Sequence, residues 1–321
     1  MKRALILFLC AAIPTVATGR QETTWQGKSV GQWVEQLAEE DERARWYATY
    51  ALGQIGPQAA GAAEPLAKIL AADLHEYVRD GAAWALGRIG PDAASAVEAL
   101  TAALDSKLPS IRRNSARTLG LIGPAAQSAI PVLVRMLEDR DATAAVNAAE
   151  ALWKIDRHTA AIPALVKMTD EGAGAGPYQA VIALGRLDAP PDAVVAALTT
   201  ALGHADADVR RAAARALGQL GPAAVPSLRQ AMADADDEVR RGAVEALRWI
   251  GPAAVPELIA ALENDRPVVR RMAARALGRM GPAAREAEAA LLEAVRDPDA
   301  QVRQMAHWAR RKIRTAPMET Q

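Results

Sequence analysis

The chain of 321 residues carries 38 Lys+Arg against 38 Asp+Glu, 51% hydrophobic residues, one Cys and one Phe, with aromatics at 4%. Zero net charge removes the broad attraction on which non-specific binding to nucleic acid or anionic membranes depends. An apolar half dominated by Ala is not built around one large core, and 19 Pro spread along the chain imply regular helix breaks rather than a disordered tract.

The first predicted element is a secretory signal peptide over residues 1–19. Met1-Lys2-Arg3 is a short basic start, residues 4–17 form an apolar run, and Ala17-Thr18-Gly19 fits a small-x-small cleavage site. The run is short for a bilayer span, and Leu9 before Cys10 argues against a lipoprotein site. Export, to a periplasmic or extracellular location, leaves a mature chain without cysteine, so neither disulfides nor thiolate metal sites can contribute. No transmembrane segment is expected after the signal peptide.

A lead-in over 20–28 precedes a region of self-similarity, 29–314, and a disordered tail is expected over 315–321. Gly-Pro recurs at Gly56-Pro57, Gly90-Pro91, Gly123-Pro124, Gly221-Pro222, Gly251-Pro252 and Gly281-Pro282. A leucine upstream of this break serves as a ruler: Leu52, Leu86, Leu119, Leu152, Leu184, Leu217, Leu247 and Leu277, with Arg310 in the ninth place. The spacings of 30–34 residues give nine units. Each unit reads as two helices. Proline falls near N1 of the first, an Asp-rich link caps the second, and a C′ glycine followed by proline ends it. Ser29-Val30-Gly31-Gln32 fits a capping box at the start of unit one.

Three columns carry the packing. Ala precedes the ruler in eight units, with Thr118 the exception, and Gly follows it in six (Gly53, Gly87, Gly120, Gly185, Gly218, Gly278). Glycine inside a helix costs about 1 kcal/mol against alanine, so its repetition predicts helices too close for a β-carbon. Seven places before the ruler stands Arg45, Arg79, Arg112, Arg210, Arg240, Arg270 or Arg303. Six residues before that column lie Asp73, Asp234 and Asp297, with Ser106 and Asn264 as polar substitutes. Stacked units should turn these into a structural ladder of arginines satisfied by carboxylates and loop carbonyls.

This phrase, as in Val209-Arg210-Arg211-Ala212-Ala213-Ala214-Arg215-Ala216-Leu217-Gly218, resembles the HEAT-like repeat family first named from phycobilisome lyases, over nearly the whole mature chain. The segment Trp25-Gln26-Gly27-Lys28-Ser29-Val30-Gly31-Gln32-Trp33 is similar to the lead-in of many exported bacterial HEAT-repeat proteins. The resemblance implies an all-α superhelical solenoid of about nine two-helix repeats, generally used as a protein-binding scaffold.

The repeats are irregular over about 139–191. Ala145 and Pro177 replace the ladder arginine, and Glu171-Gly172-Ala173-Gly174-Ala175-Gly176-Pro177 is glycine-rich. A phosphate loop is disfavoured there, because no strand precedes the glycines and no Lys-Ser/Thr follows. An altered turn or hinge is the simpler reading.

A second face of each unit's second helix, at six and two residues before the ruler and two after, varies from unit to unit. In a HEAT-like solenoid it would floor the concave surface. Along it lie Trp46 and Tyr50, Trp84 and Arg88, Arg113 and Arg117, then Arg211 and Arg215, Arg241, Arg271, Arg275 and Arg279, and Trp308. Trp, Tyr and Arg are the residue types of binding hot spots, and these thirteen are the candidate partner-binding residues. The basic units six to eight predict an acidic partner: a protein, a peptide or an anionic polymer. Trp153, beside its ruler leucine, reads as core.

Catalytic, cofactor and metal residues are expected to be absent. Deoxyhypusine hydroxylase has a similar fold, but its repeated His-Glu dyads are represented only by His75-Glu76, so an oxidoreductase of that type is disfavoured. Export argues against a bilin lyase. Nucleic-acid backbone binding through concave arginines is a further alternative, disfavoured by overall neutrality and the Asp-rich links.

Overall fold

The computed structural model describes residues 23–170, 175–188 and 191–315. The expected signal peptide, residues 316–321 of the expected tail and residues 171–174 of the glycine-rich link lie outside them. A two-stranded hairpin, β1 (Thr24–Trp25) and β2 (Lys28–Ser29), opens the described chain. Its turn takes Gln26 and Gly27 to φ 49° and 79°.

Eighteen α-helices follow among the described residues as nine pairs. The first three are α1 (Val30–Gln36) with α2 (Glu42–Ile55), α3 (Ala63–Ala72) with α4 (Glu76–Ile89), and α5 (Val97–Ala103) with α6 (Pro109–Ile122). The irregular middle holds α7 (Ile130–Arg135) with α8 (Ala142–Asp156) and α9 (Ala161–Asp170) with α10 (Ala175–Arg186). The last four are α11 (Pro191–Thr200) with α12 (Ala207–Leu220), α13 (Val225–Ala231) with α14 (Asp237–Ile250), α15 (Val255–Ala261) with α16 (Pro267–Met280), and α17 (Glu288–Ala294) with α18 (Ala300–Arg314). Five second helices begin at acidic caps, Asp41, Asp141, Asp206, Asp236 and Asp299 each accepting a first-turn backbone N–H, whereas α4, α6 and α16 start at His75, Leu108 and Arg266 without a side-chain cap. Ser29 and Gln32 form the expected capping box.

Each pair contacts its sequence neighbours, and successive second helices pack more closely than successive first helices. The second helices therefore form the inner layer of an all-α solenoid. All eight ruler leucines are fully buried, and the alanine column with them. A buried leucine contributes roughly 1.5–3 kcal/mol, while ordering a residue costs about 1–2 kcal/mol in backbone entropy. Units of 30–34 residues with so few large side chains hold only by leaning on neighbours.

The breaks follow from glycine. Gly56, Gly90, Gly123, Gly221, Gly251 and Gly281 have φ between 61° and 83°; at Gly251 ψ is −146°, a region that residues with a β-carbon avoid. Proline then opens a 3₁₀ turn leading into the next unit. Unit four lacks this glycine, and Arg157 instead turns left-handed at φ 60°, ψ 37°. Its N–H reaches back to the Trp153 carbonyl, an αL closure, and that of His158 to the Leu152 carbonyl. The segment Pro109–Glu138 is long and apolar enough for a membrane span by length and composition. Gly123 turns the chain within it, and Ile111, Leu119, Ile122 and Leu133 are buried among the repeats.

The arginine ladder forms between units. Arg45 pairs with Asp73 (2.6 and 3.1 Å) and Arg270 with Asp297 (2.7 and 2.9 Å), each in the next unit. Arg112 reaches Asp139 through two bonds of 2.7 Å, a rung the sequence columns missed. Each of these arginines also donates to two carbonyls of its own link, as do Arg210 and Arg303. Where the next unit offers Asn264, no carboxylate rung forms, and Arg240 keeps a buried Nε without a partner.

Burial pushes the Asp73 and Asp139 carboxyls up, but Arg45 and Arg112, with backbone N–H groups, hold both below the usual range. Arg270 lowers Asp297. A carboxyl depressed in the folded state stabilises it above its unfolded value of about 3.9, and that stabilisation is lost as pH falls through the folded value. Thermal unfolding should therefore be nearly flat from pH 7 to 5 and fall steeply below about pH 4. The triple variant Asp73→Asn/Asp139→Asn/Asp297→Asn should be less stable at neutral pH with a shallower acid slope; an unchanged slope would remove the ladder from acid stability.

Candidate interaction surface

The predicted stripe does run along one side of the second helices, and the structure sorts its residues by what they touch. Trp84 and Trp308 are half-buried in seams between units. A β-carbon at Gly53 would lie 2.2 Å from the Trp84 ring, and one at Gly278 2.4 Å from that of Trp308. The glycine column exists to admit such close approach, so these two tryptophans serve inter-unit packing and are not open anchors. Trp153 is buried as expected and donates its indole N–H to Asp188 at 2.9 Å.

A second group is neutralised within the chain. Arg113 pairs with Asp141 (2.8 Å), Arg241 with Glu238 (2.6 Å) and Arg211 with Asp208, while the half-buried Arg271 donates to Gln301. Exposed pairs of this kind contribute about 0–1 kcal/mol and exchange readily for a ligand carboxylate. Arg88 spans back to the Gly53 carbonyl at 3.4 Å. The third group is free: Arg117, Arg275 and Arg279 are exposed and make no hydrogen bond or ion pair among the described residues.

At the N-terminal end, the Tyr50 ring lies between those of Trp46 and Trp84, stacked at 5.9 and 5.7 Å, with Trp25 edge-on at 5.9 Å. The hairpin holds Trp25 there: its carbonyl accepts from the Trp33 indole at 3.3 Å, and Lys28 sits 4.6 Å over Trp33 while donating to the buried Gln36. Trp46 and Tyr50 remain 41% and 36% exposed. Beside this stack, Trp84, Arg88, Asn114 and Arg117 line a concavity of about 480 Å³.

Toward the C-terminal end, α12 and α14 frame a concavity of about 500 Å³, and α14, α16 and α18 one of about 640 Å³; Arg241 and Glu245 belong to both. Trp249, outside the thirteen candidates, is half exposed, with the guanidinium groups of Arg215 and Arg248 at 5.9 and 4.3 Å from its ring. Its place two residues after the ruler was the available signal. The stripe is interrupted in unit four, where Val146 is buried and Glu150 half-buried, and resumes in unit five with the exposed Tyr178 and Arg186. An Arg157–Asp188 pair, with the Trp153 indole on the same carboxylate, clamps units four and five where the glycine turn and ladder rung are missing.

The histidines sit apart. His75 touches Arg45 at 3.3 Å beside Asp73, while His158 and His204 accept backbone N–H groups in their own links. Among the described residues, no three His, Cys, Asp or Glu side chains are grouped to hold a metal ion.

Models of HEAT repeats match residues 30–118, 97–176, 175–248 and 255–317, and a PBS lyase HEAT-like repeat matches 239–264. No curated protein matches the chain. Among solved structures, importin beta is similar in fold, with a TM-score of 0.53 at 16% identity, over 88% of this chain and 44% of its own. Human deoxyhypusine hydroxylase aligns over 88% of this chain and 95% of its own at 24% identity, but its TM-score of 0.35 is too low to support a functional argument. Repeats matched along most of its length, stacked with their second helices innermost, make this chain a member of the HEAT-repeat family.

Proposed function

We propose that the chain is a non-enzymatic interaction or assembly scaffold of bacterial origin, exported under its signal peptide, that receives an acidic protein or peptide along the inner face of its second helices. The observation that carries the reading is the set of exposed stripe arginines left without internal partners, Arg117, Arg275 and Arg279, beside the exposed rings of Trp46, Tyr50 and Trp249. Guanidinium forks match carboxylates bidentately, and aromatic side chains supply rigid contact area. With helix layers about 10 Å apart, nine units offer a face on the order of 90 Å long, suited to an extended or protein-sized partner. The export reading rests on the basic-apolar-small pattern of residues 1–19.

Affinity capture from the exporting compartment tests the proposal. Arg117→Glu/Arg215→Glu/Arg275→Glu changes exposed side chains only, so the fold should persist while the captured proteins are lost. Equal recovery by the variant and the unaltered chain would refute the surface assignment.

A further inference from the structure

We infer that the concavity between α14, α16 and α18 is a docking site for an extended acidic peptide with alternating apolar side chains. The inference rests on the scaffold reading and gives that face a ligand class and a register. Arg271, Arg275 and Arg279 follow one another at four-residue spacing on α16, and like charges so placed weaken a helix. Arg271 is relieved by the Gln301 amide, but Arg275 and Arg279 find no acceptor among the described residues. Charge held there at a cost to the helix is complementary to carboxylates from outside the chain.

The floor beneath the guanidinium groups is apolar. Val244 and Ala276 are buried, and Met272 and Met305 are half-buried, the last two being side chains that adapt to varied apolar surfaces. A bare polyanion would leave that floor unmatched. A nucleic-acid strand would in addition find no ring in this concavity on which to stack a base. An extended peptide satisfies both surfaces, because successive side chains point to opposite sides. One set can reach Arg275 and Arg279 while the other meets Met272 and Met305. Three helix layers about 10 Å apart span on the order of 20 Å, the reach of about six extended residues.

Fluorescence anisotropy with a labelled Glu-Leu-Glu-Leu-Glu-Leu peptide tests this directly. The peptide should bind the full chain, and Arg275→Glu/Arg279→Glu should weaken it about tenfold or more, the loss expected when charge-assisted pairs are removed. A charge-matched control on exposed residues away from the inner face, Lys68→Glu/Arg296→Glu, should bind as the unaltered chain does. A Glu-Ser-Glu-Ser-Glu-Ser peptide should bind several-fold more weakly than the Leu form, and a six-nucleotide single strand more weakly still. Far-UV circular dichroism confirms that each variant is folded. The inference fails if the Glu-Leu peptide does not bind at millimolar concentration, if Arg275→Glu/Arg279→Glu binds it equally, or if the Ser peptide or the oligonucleotide binds as tightly. If any of these occurs while Arg117→Glu/Arg215→Glu/Arg275→Glu still abolishes capture, the acidic-apolar ligand is wrong and the scaffold face stands.

Discussion

Gly120→Ala is expected to destabilise the chain by about 2 kcal/mol, although alanine is the better helix former by about 1 kcal/mol. The added β-carbon would lie 2.8 Å from the Cα of Ala151, and a backbone atom in a packed helix cannot step aside. Gly53→Ala meets the end of the Trp84 ring instead and should cost less, since a side chain can shift. Gly61 provides the opposite sign. It is exposed, has an ordinary φ and has nothing within 4 Å of a built β-carbon. Gly61→Ala should therefore be neutral or stabilise by up to about 1 kcal/mol. Urea unfolding of the three variants should rank them Gly61→Ala, Gly53→Ala, Gly120→Ala in falling stability. Equal effects would mean that the glycine column is not set by helix approach.

Arg112→Leu is expected to cost about 3–5 kcal/mol, the loss that follows when a buried ion pair keeps only one partner. The Arg112 and Asp139 side chains are 7% and 10% exposed, and the guanidinium also holds the Ser106 and Lys107 carbonyls. Removing it strands the Asp139 charge and loosens the join between units three and four. Arg112→Leu/Asp139→Leu should recover part of that loss, because no unpaired charge remains. Arg113, the next residue, makes a similar pair with Asp141 but is 44% exposed, so Arg113→Leu should cost about 1 kcal/mol or less. Unfolding free energies give the magnitudes, and hydrogen exchange should show the Arg112→Leu loss first in α6 and α8, as neighbour-coupled repeats require. Equal costs at the two positions would deny the ladder its structural role.

The repeat makes most of the architecture legible in the sequence alone. Leu52 through Leu277 mark the buried seam because each occupies the same fully buried place of its unit. The glycine at Gly120 announced helix contact because nothing else repays glycine inside a helix. Asp139 was missed for a physical reason: its arginine belongs to the preceding unit, while its own unit carries Ala145, so a column read within units shows no pair. The candidate surface was legible only as a face. Trp84 and Trp249 both sit on it, two residues to either side of the ruler, yet Trp84 is half-buried over Gly53 while the Trp249 ring remains half exposed. Arg211 and Arg241 are tied by acids three residues earlier on their own helices, which helical spacing records. Whether an arginine is tied across units, as Arg113 is, or free, as Arg275 is, depends on which carboxylate the next unit places within reach, and the spacing carries no record of that.

The central claim is that partners bind the inner, second-helix face. A photo-crosslinking side chain placed singly at 117, 215, 279, 134 or 292 tests it, followed by irradiation in the presence of captured partner. The first three positions are exposed on α6, α12 and α16, whereas Val134 and Leu292 are exposed on the first helices α7 and α17. Adducts are expected from 117, 215 and 279 and not from 134 or 292. Adducts confined to 134 and 292 would contradict the account.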